Sequence, residues 1–270
     1  MNWGGEFLVR ALRGWIGCSV YRRGELVSTI TRKQPKIHNP DSDGQPMADN
    51  TLQFDWIAIL KWNLDYQFAN DPNVFVAGDH LIYAEEGNNK YRVAPDVYVA
   101  FGRPKGHRGS YKVWEEDGIF PQVVFEVWSP SNRAEEMQKK LKFYQTHGAE
   151  EYYYVYPEAP ASVDIWRREG DLLIAVPDVA NWVSPRTGIR FEARAGELSV
   201  YARDGWLFRN PVEIATERDR ALQTRNEALH TRDDALHTRD QALHTRDEAI
   251  ERAAKLAAKL RELGVDPDSL

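Results

Sequence analysis

Two stretches decide how this chain reads: Ala94-Pro95-Asp96-Val97-Tyr98-Val99-Ala100 and Val123-Val124-Phe125-Glu126-Val127-Trp128-Ser129-Pro130-Ser131. Both are rich in the β-branched and aromatic residues that suit strands, and each carries one carboxylate in an otherwise apolar run. Side chains alternate between the faces of a strand. Asp96 therefore shares a face with Tyr98 and Ala100, opposite Val97, Val99 and Phe101, while Glu126 shares its face with Val124 and Trp128. A carboxylate there is costly to bury unless it is paired or bound to a cation. Two on neighbouring strands could hold a hard cation such as Mg²⁺, which prefers oxygen ligands and retains waters. Such an ion polarises a phosphate oxygen and lowers the pKa of an attacking water.

The surrounding sequence supplies the other elements. Asp49 or Asn50 can cap a helix whose apolar residues (Leu52, Trp56, Ile59, Leu60) continue at helical spacing to about residue 69. Residues 74–84, interrupted by Gly78, read as a strand before the turn Glu86-Gly87-Asn88-Asn89. Asp79, following Gly78, reads as a turn or bulge residue. After the second stretch, residues 134–147 form a helix stopped by Gly148, and residues 151–156 a tyrosine-rich strand. Glu136, Lys140 and Tyr144 line one face of that helix. Spacing alone makes it a surface helix with one Glu–Lys pair, worth a few tenths of a kcal/mol. Residues 163–167, 172–176, 189–194 and 198–202 read as short strands of a closing meander, with Trp166, Trp182 and Trp206 in its core. The order helix, three strands, helix, strand, meander is that of an α+β fold, or of α/β with a mixed sheet.

Three zones follow: an N-terminal extension at 1–44, a domain at 45–208, and a helical heptad-repeat tail at 209–270. The first holds a possible hairpin at 18–30 and the polar turn Asn39-Pro40-Asp41-Ser42-Asp43-Gly44. In the tail, Ala-Leu recurs every seven residues from Ala221-Leu222 to Ala242-Leu243, ending as Ala249-Ile250. No Gly or Pro interrupts residues 212–263, so they should form one helix on the order of 70–80 Å long. Its seam is thin. With Leu222 at heptad position a, position d falls on Arg225, Arg232, Arg239 and Arg246. With Leu222 at d, position a falls on Asn226, Asp233, Asp240 and Asp247. Weak homo-oligomerisation through residues 212–263 is expected, with a solvated single helix as the alternative. His230, His237 and His244 lie about 10 Å apart, too far to share a metal.

The formal charge of −6 is unevenly spread. Lys and Arg number seven against two Asp and Glu in residues 1–39, 17 against 26 in 40–208, and 11 against 13 in 209–270. The acidic middle argues against a general polyanion binder with a basic face, though not against an enzyme whose acids hold a metal. Cys18 is the single cysteine, so intramolecular disulfides and multi-cysteine zinc sites are excluded and a cytoplasmic setting is expected. No apolar run approaches the roughly 20 residues that span a bilayer, and Glu6, Arg10 and Arg13 break up any signal-like start.

Ala94-Pro95-Asp96-Val97, Glu126-Val127-Trp128-Ser129-Pro130-Ser131, then Glu136, Lys140, Tyr144, Gly148 and Glu151-Tyr152 resemble the Uma-two family of bacterial restriction-type endonucleases. That family lies within the PD-(D/E)XK nuclease superfamily. The segments Pro46-Met47-Ala48-Asp49-Asn50, Val76-Ala77-Gly78-Asp79 and the loop 102–111 share the likeness, which covers roughly residues 45–205. The resemblance implies a restriction-endonuclease-like core with helices flanking a central sheet. It also implies Mg²⁺- or Mn²⁺-dependent hydrolysis of phosphodiester bonds in DNA. Asp96 and Glu126 would be the metal-binding acids, with the Val127 carbonyl as an extra ligand. The superfamily's lysine, two residues after the second acid, is here Trp128; the family similarly lacks it, and Lys140 from the helix becomes the candidate. Glu136 would assist the metal or pair with Lys140. Arg103, Lys105, Arg108 and Lys112 would contact the DNA backbone, or simply be solvated. The rival expectation is a catalytically silent nuclease-fold scaffold that assembles or recruits partners through its coiled coil.

Overall fold

The computed structural model describes residues 38–264 together with Asp266 and Pro267; the expected hairpin at 18–30 and Cys18 lie outside the described residues. The chain divides into two compact units between Phe208 and Arg209.

The first unit is built on one mixed sheet. Its strands are β1 (Val74–Gly78), β4 (Val97–Phe101), β6 (Val123–Val127), β7 (Glu151–Tyr156), β8 (Ser162–Glu169) and β9 (Leu172–Ala175), in the spatial order β1-β4-β6-β7-β8-β9. All neighbours are antiparallel except β6 and β7. These two run parallel because α2 (Ala134–His147) carries the chain back between them. Gly148 ends α2 in the left-handed conformation, at φ 97°, which glycine adopts without a Cβ clash.

Alternation divides the sheet residues between two cores. Val97, Val99, Val123, Phe125 and Val127 pack on one face with Ile57, Leu60 and Leu64 of α1 (Thr51–Gln67). Tyr98, Ala100 and Val124 pack on the other with Met137, Phe143 and Tyr144 of α2. The sheet is therefore covered by a helix on each face; β6 is buried throughout and β4 in all but Phe101. Asn50 caps α1 by accepting a hydrogen bond from Gln53 N. Tyr152, Tyr153 and Tyr154 are all buried. Trp166, Trp182 and Trp206 are partly buried against the two cores.

Two features differ from the expected order. The last four strands are not one meander: β8 and β9 extend the main sheet, while β10 (Arg190–Arg194) and β11 (Glu197–Tyr201) form a separate two-stranded sheet. A small sheet of β2 (Ile82–Tyr83), β3 (Arg92–Val93) and β5 (Tyr111–Lys112) is also present. Strands of two residues are too short to leave a period in the sequence.

In the second unit, α3 (Pro211–Glu262) is a 52-residue helix. It opens with a capping box between Asn210 and Glu213 and with proline in its first turn. No helix among the described residues is long and apolar enough to cross a membrane.

Candidate active site

Strand register brings the two acids together. Val97 of β4 lies opposite Phe125 of β6, so Asp96, one residue earlier, comes opposite Glu126, one residue later, on the α2 side of the sheet. Asp96 Oδ2 accepts the backbone N–H of Val127 at 2.6 Å. Glu126 is 2% exposed. α2 supplies its partners: Lys140 Nζ donates to Glu126 Oε2 at 2.7 Å, and the Tyr144 hydroxyl donates to Glu126 Oε1. Lys140 also reaches the Ala94 carbonyl at 3.4 Å.

The electrostatics follow from this crowding. Burial pushes the Asp96 carboxyl up to about 8, reinforced by the charge of Glu126 and, more weakly, of Asp79, while Lys140 opposes the rise. Burial likewise raises Glu126 against the pull of Lys140 and Tyr144. Burial works against the Lys140 charge, but Glu126 and Asp96 outweigh it and hold the ammonium above its ordinary range. Two carboxyls thus share a single fixed cation.

Lys140 therefore turns to Glu126 rather than to Glu136, which stays exposed at the lip of the same cavity. Trp128 packs against the α2-side core. The Val127 carbonyl accepts from Gln53 Nε2 at 3.1 Å. Gln53 Oε1 in turn accepts from Asp49 N at 2.8 Å. The Asp49 carboxylate accepts from the hydroxyls of Ser129 and Ser131, and these bonds, Ser129 first, hold it below the usual carboxylate range. Gln53 and Asp49 thus tie the start of α1 to the end of β6. Nothing in the spacing of the sequence identifies Gln53, because its partner lies 74 residues away. Asp79, at φ 45°, donates its backbone N–H to the Asp96 carbonyl at 3.0 Å. The residue expected as a turn thus also borders the site.

Asp79, Asp96, Glu136 and Lys140 line a cavity of about 920 Å³. Lys90, Arg92, Lys139 and Lys142 line it too. Lys139 pairs with Glu135 at 2.8 Å, whereas Lys90 and Lys142 have no ion pair among the described residues. The loop cations are differently placed. Arg103 and Arg108 both bind Glu116, through Nε at 2.9 and 2.5 Å. Lys105 is 3.5 Å from Asp65, and Lys112 is 3.3 Å from Glu115. Each of these cations has a carboxylate beside it, from residues 115–117 or, for Lys105, from Asp65 of α1.

Burial raises the Glu116 carboxyl, but Arg108 and Arg103 outweigh it and leave it below its ordinary value of 4.5. A depressed carboxyl contributes stability that is present above its unfolded pKa and lost as pH falls through the folded one. Urea midpoints of the wild type and Glu116→Gln should therefore differ at neutral pH and converge below about pH 4. A constant difference across that window would mean that the ion pairs contribute nothing.

Among the described residues, no three His, Cys, Asp or Glu side chains converge as a ready-made metal cage. No curated protein matches the chain. Among solved structures, it is similar to a putative nuclease belonging to DUF820 from Anabaena variabilis. The identity is 12% and the TM-score 0.38, over 52% of this chain and 74% of that one. A family model described as "Putative restriction endonuclease" matches residues 46–192, more than half of the chain. The segment it matches contains Asp96, Glu126 and Lys140, and the chain belongs to this family, Uma2.

Proposed function

We propose that the domain hydrolyses phosphodiester bonds in DNA, with Mg²⁺ or Mn²⁺ held by Asp96 and Glu126. The observation that carries this reading is the Lys140 ammonium beside both acids, which supplies from α2 the cation that Trp128 cannot. The donor set fits a hard dication. Mg²⁺ needs only one or two carboxylates and keeps its waters. Among the described residues Asp96 Oδ1 has no hydrogen bond, and burial, reinforced by the charge of Glu126, pushes the carboxyl up to about 8. The Val127 carbonyl, already accepting from Gln53, has a second lone pair to offer. When bound, such an ion polarises a phosphate oxygen and acidifies a coordinated water.

The protein's own groups have separable roles in this reading. Lys140 holds Glu126 in place and can stabilise charge developing on a phosphate at the cavity wall. Tyr144 and Val127 N–H fix the orientations of Glu126 and Asp96. Lys90, Arg92 and Lys142 at the cavity are placed to meet the nucleic-acid backbone, where cations position phosphates without reading bases. They offer an acidic domain cationic contacts in a cavity that carboxylates line as well. The paired loop cations Arg103 and Arg108 are poorer candidates, and Lys105 and Lys112 are held more loosely by their carboxylates. Glu136 would be an outer ligand or water acceptor.

One observation favours a silent scaffold instead: both Glu126 oxygens are already occupied, by Lys140 and Tyr144. Incubating the full chain with plasmid, linear duplex and single-stranded DNA in Mg²⁺, Mn²⁺ or EDTA separates the two. The proposal expects metal-dependent nicking that falls by about 100-fold or more in Asp96→Asn, with the circular dichroism spectrum unchanged. It also expects duplex affinity in EDTA to fall in the Lys90→Ala, Lys142→Ala chain. Equal cleavage by Asp96→Asn would trace the activity to a contaminant. No cleavage and no calorimetric Mn²⁺ binding would establish the scaffold.

A further inference from the structure

α3 is 52 residues long and buries none of its side chains. Most helical stability in proteins comes from packing an apolar face, and one such face runs unpartnered along it. Leu222, Leu229, Leu236, Leu243 and Ile250 follow one another at intervals of seven, each at least 38% exposed. Between these residues stand the pairs Arg232-Asp233, Arg239-Asp240 and Arg246-Asp247. Each arginine is three residues beyond a leucine and lies about 60° to one side of it. Each aspartate is four beyond and lies about 40° to the other side. The apolar stripe is thus bordered by a ladder of cations on one flank and a ladder of anions on the other. In the single helix each pair closes on itself, at 3.0, 2.9 and 2.7 Å. Exposed pairs of this kind contribute little.

The geometry points to a second copy of this chain as the partner of the stripe, running parallel and in register. In a parallel pair of helices the opposite flanks of two stripes meet; in an antiparallel pair like flanks meet. Parallel pairing therefore sets every arginine ladder against an aspartate ladder. Antiparallel pairing sets arginine against arginine and aspartate against aspartate. The interface alternates leucine layers with layers in which two Arg-Asp pairs exchange partners. This accounts for a seam that lacks an apolar residue at every second core position yet repeats its charges so regularly. Beyond Ile250, Ala253, Ala257 and Leu260 continue the same line with apolar residues, closing the seam where the charged layers stop. Parallel pairing also brings the two Pro211 ends within about 10 Å, so both preceding domains leave from the same end. The inference does not depend on what that domain does.

The test uses full-length chains. In one, arginine and aspartate are exchanged at all three pairs (R232D, D233R, R239D, D240R, R246D, D247R). That chain is isotopically labelled, because the exchange leaves its mass unchanged. Parallel pairing expects each chain alone to have twice the mass of one copy by light scattering. It also expects mixed pairs, counted by native mass spectrometry after re-equilibration, to fall about tenfold below the statistical share, since like charges then face each other. An excess of mixed pairs would establish antiparallel pairing and overturn the proposal. Statistical mixing would place the interface elsewhere, and single-copy or three-copy masses would also overturn it.

Discussion

Replacing Glu126 by alanine should destabilise the domain by about 3 kcal/mol, a fall in melting temperature of roughly 6–12 °C for a unit of this size. The carboxylate is 2% exposed and takes donors from both Lys140 and Tyr144. Removing it leaves a fully buried hydroxyl without its acceptor, which costs about 1–3 kcal/mol. It also leaves an ammonium, 20% exposed, whose remaining hydrogen-bond acceptor is the Ala94 carbonyl at 3.4 Å. Breaking a buried pair costs about 3–5 kcal/mol, reduced here because Lys140 can turn toward the cavity. The pair itself is not a large source of stability, since its desolvation offsets its attraction. Glu126→Met combined with Lys140→Met should accordingly recover most of the lost stability while remaining inactive. If the double variant were as unstable as Glu126→Ala, packing rather than charge would explain the loss.

Lys140→Met should lower DNA cleavage by about 100- to 1000-fold while leaving duplex affinity in EDTA nearly unchanged. Methionine keeps the length of the stem but removes the cation that bonds Glu126 and whose charge acts on Asp96. The stability of this variant should also depend on pH. Glu126 is already raised by burial, and loss of Lys140 raises it further. A carboxyl raised in the folded state contributes stability that is present below its unfolded pKa and lost as pH rises through the folded one. Lys140→Met should therefore lie closer to the wild type at pH 5 than at pH 8 in thermal denaturation. Cleavage within about threefold of the wild type would reduce Lys140 to a structural counter-ion.

The parts of the site that were legible in the sequence are those fixed by local periodicity. Alternation in β4 and β6 placed Asp96 and Glu126 on one side of their strands. The i, i+4 spacing of Glu136, Lys140 and Tyr144 placed them on one face of α2, whose bounds Ala134–His147 coincide with the expected range. The pairing choices were not legible. Periodicity allowed a Glu136–Lys140 pair, but the structure joins Lys140 to Glu126, because α2 lies across the strand face that carries the acid. The basic composition of the 103–112 loop carried no sign that Glu116 would pair with both arginines. Gln53 was invisible for the same reason.

By itself the sequence determined the kinds of element, the faces on which their charged residues fall, and the family likeness. These depend on residue type and on periods of 2 and 3.6, which act over a few neighbours. Only the tertiary structure decided which residues meet. The antiparallel register of β4 on β6 sets Asp96 opposite Glu126, and the packing of α2 on the sheet delivers Lys140 and Tyr144 to the same carboxylate. Such contacts are selected by the burial of whole faces. No segment contains that information alone, because the cost of burying Glu126 is offset by residues that its own strand does not supply.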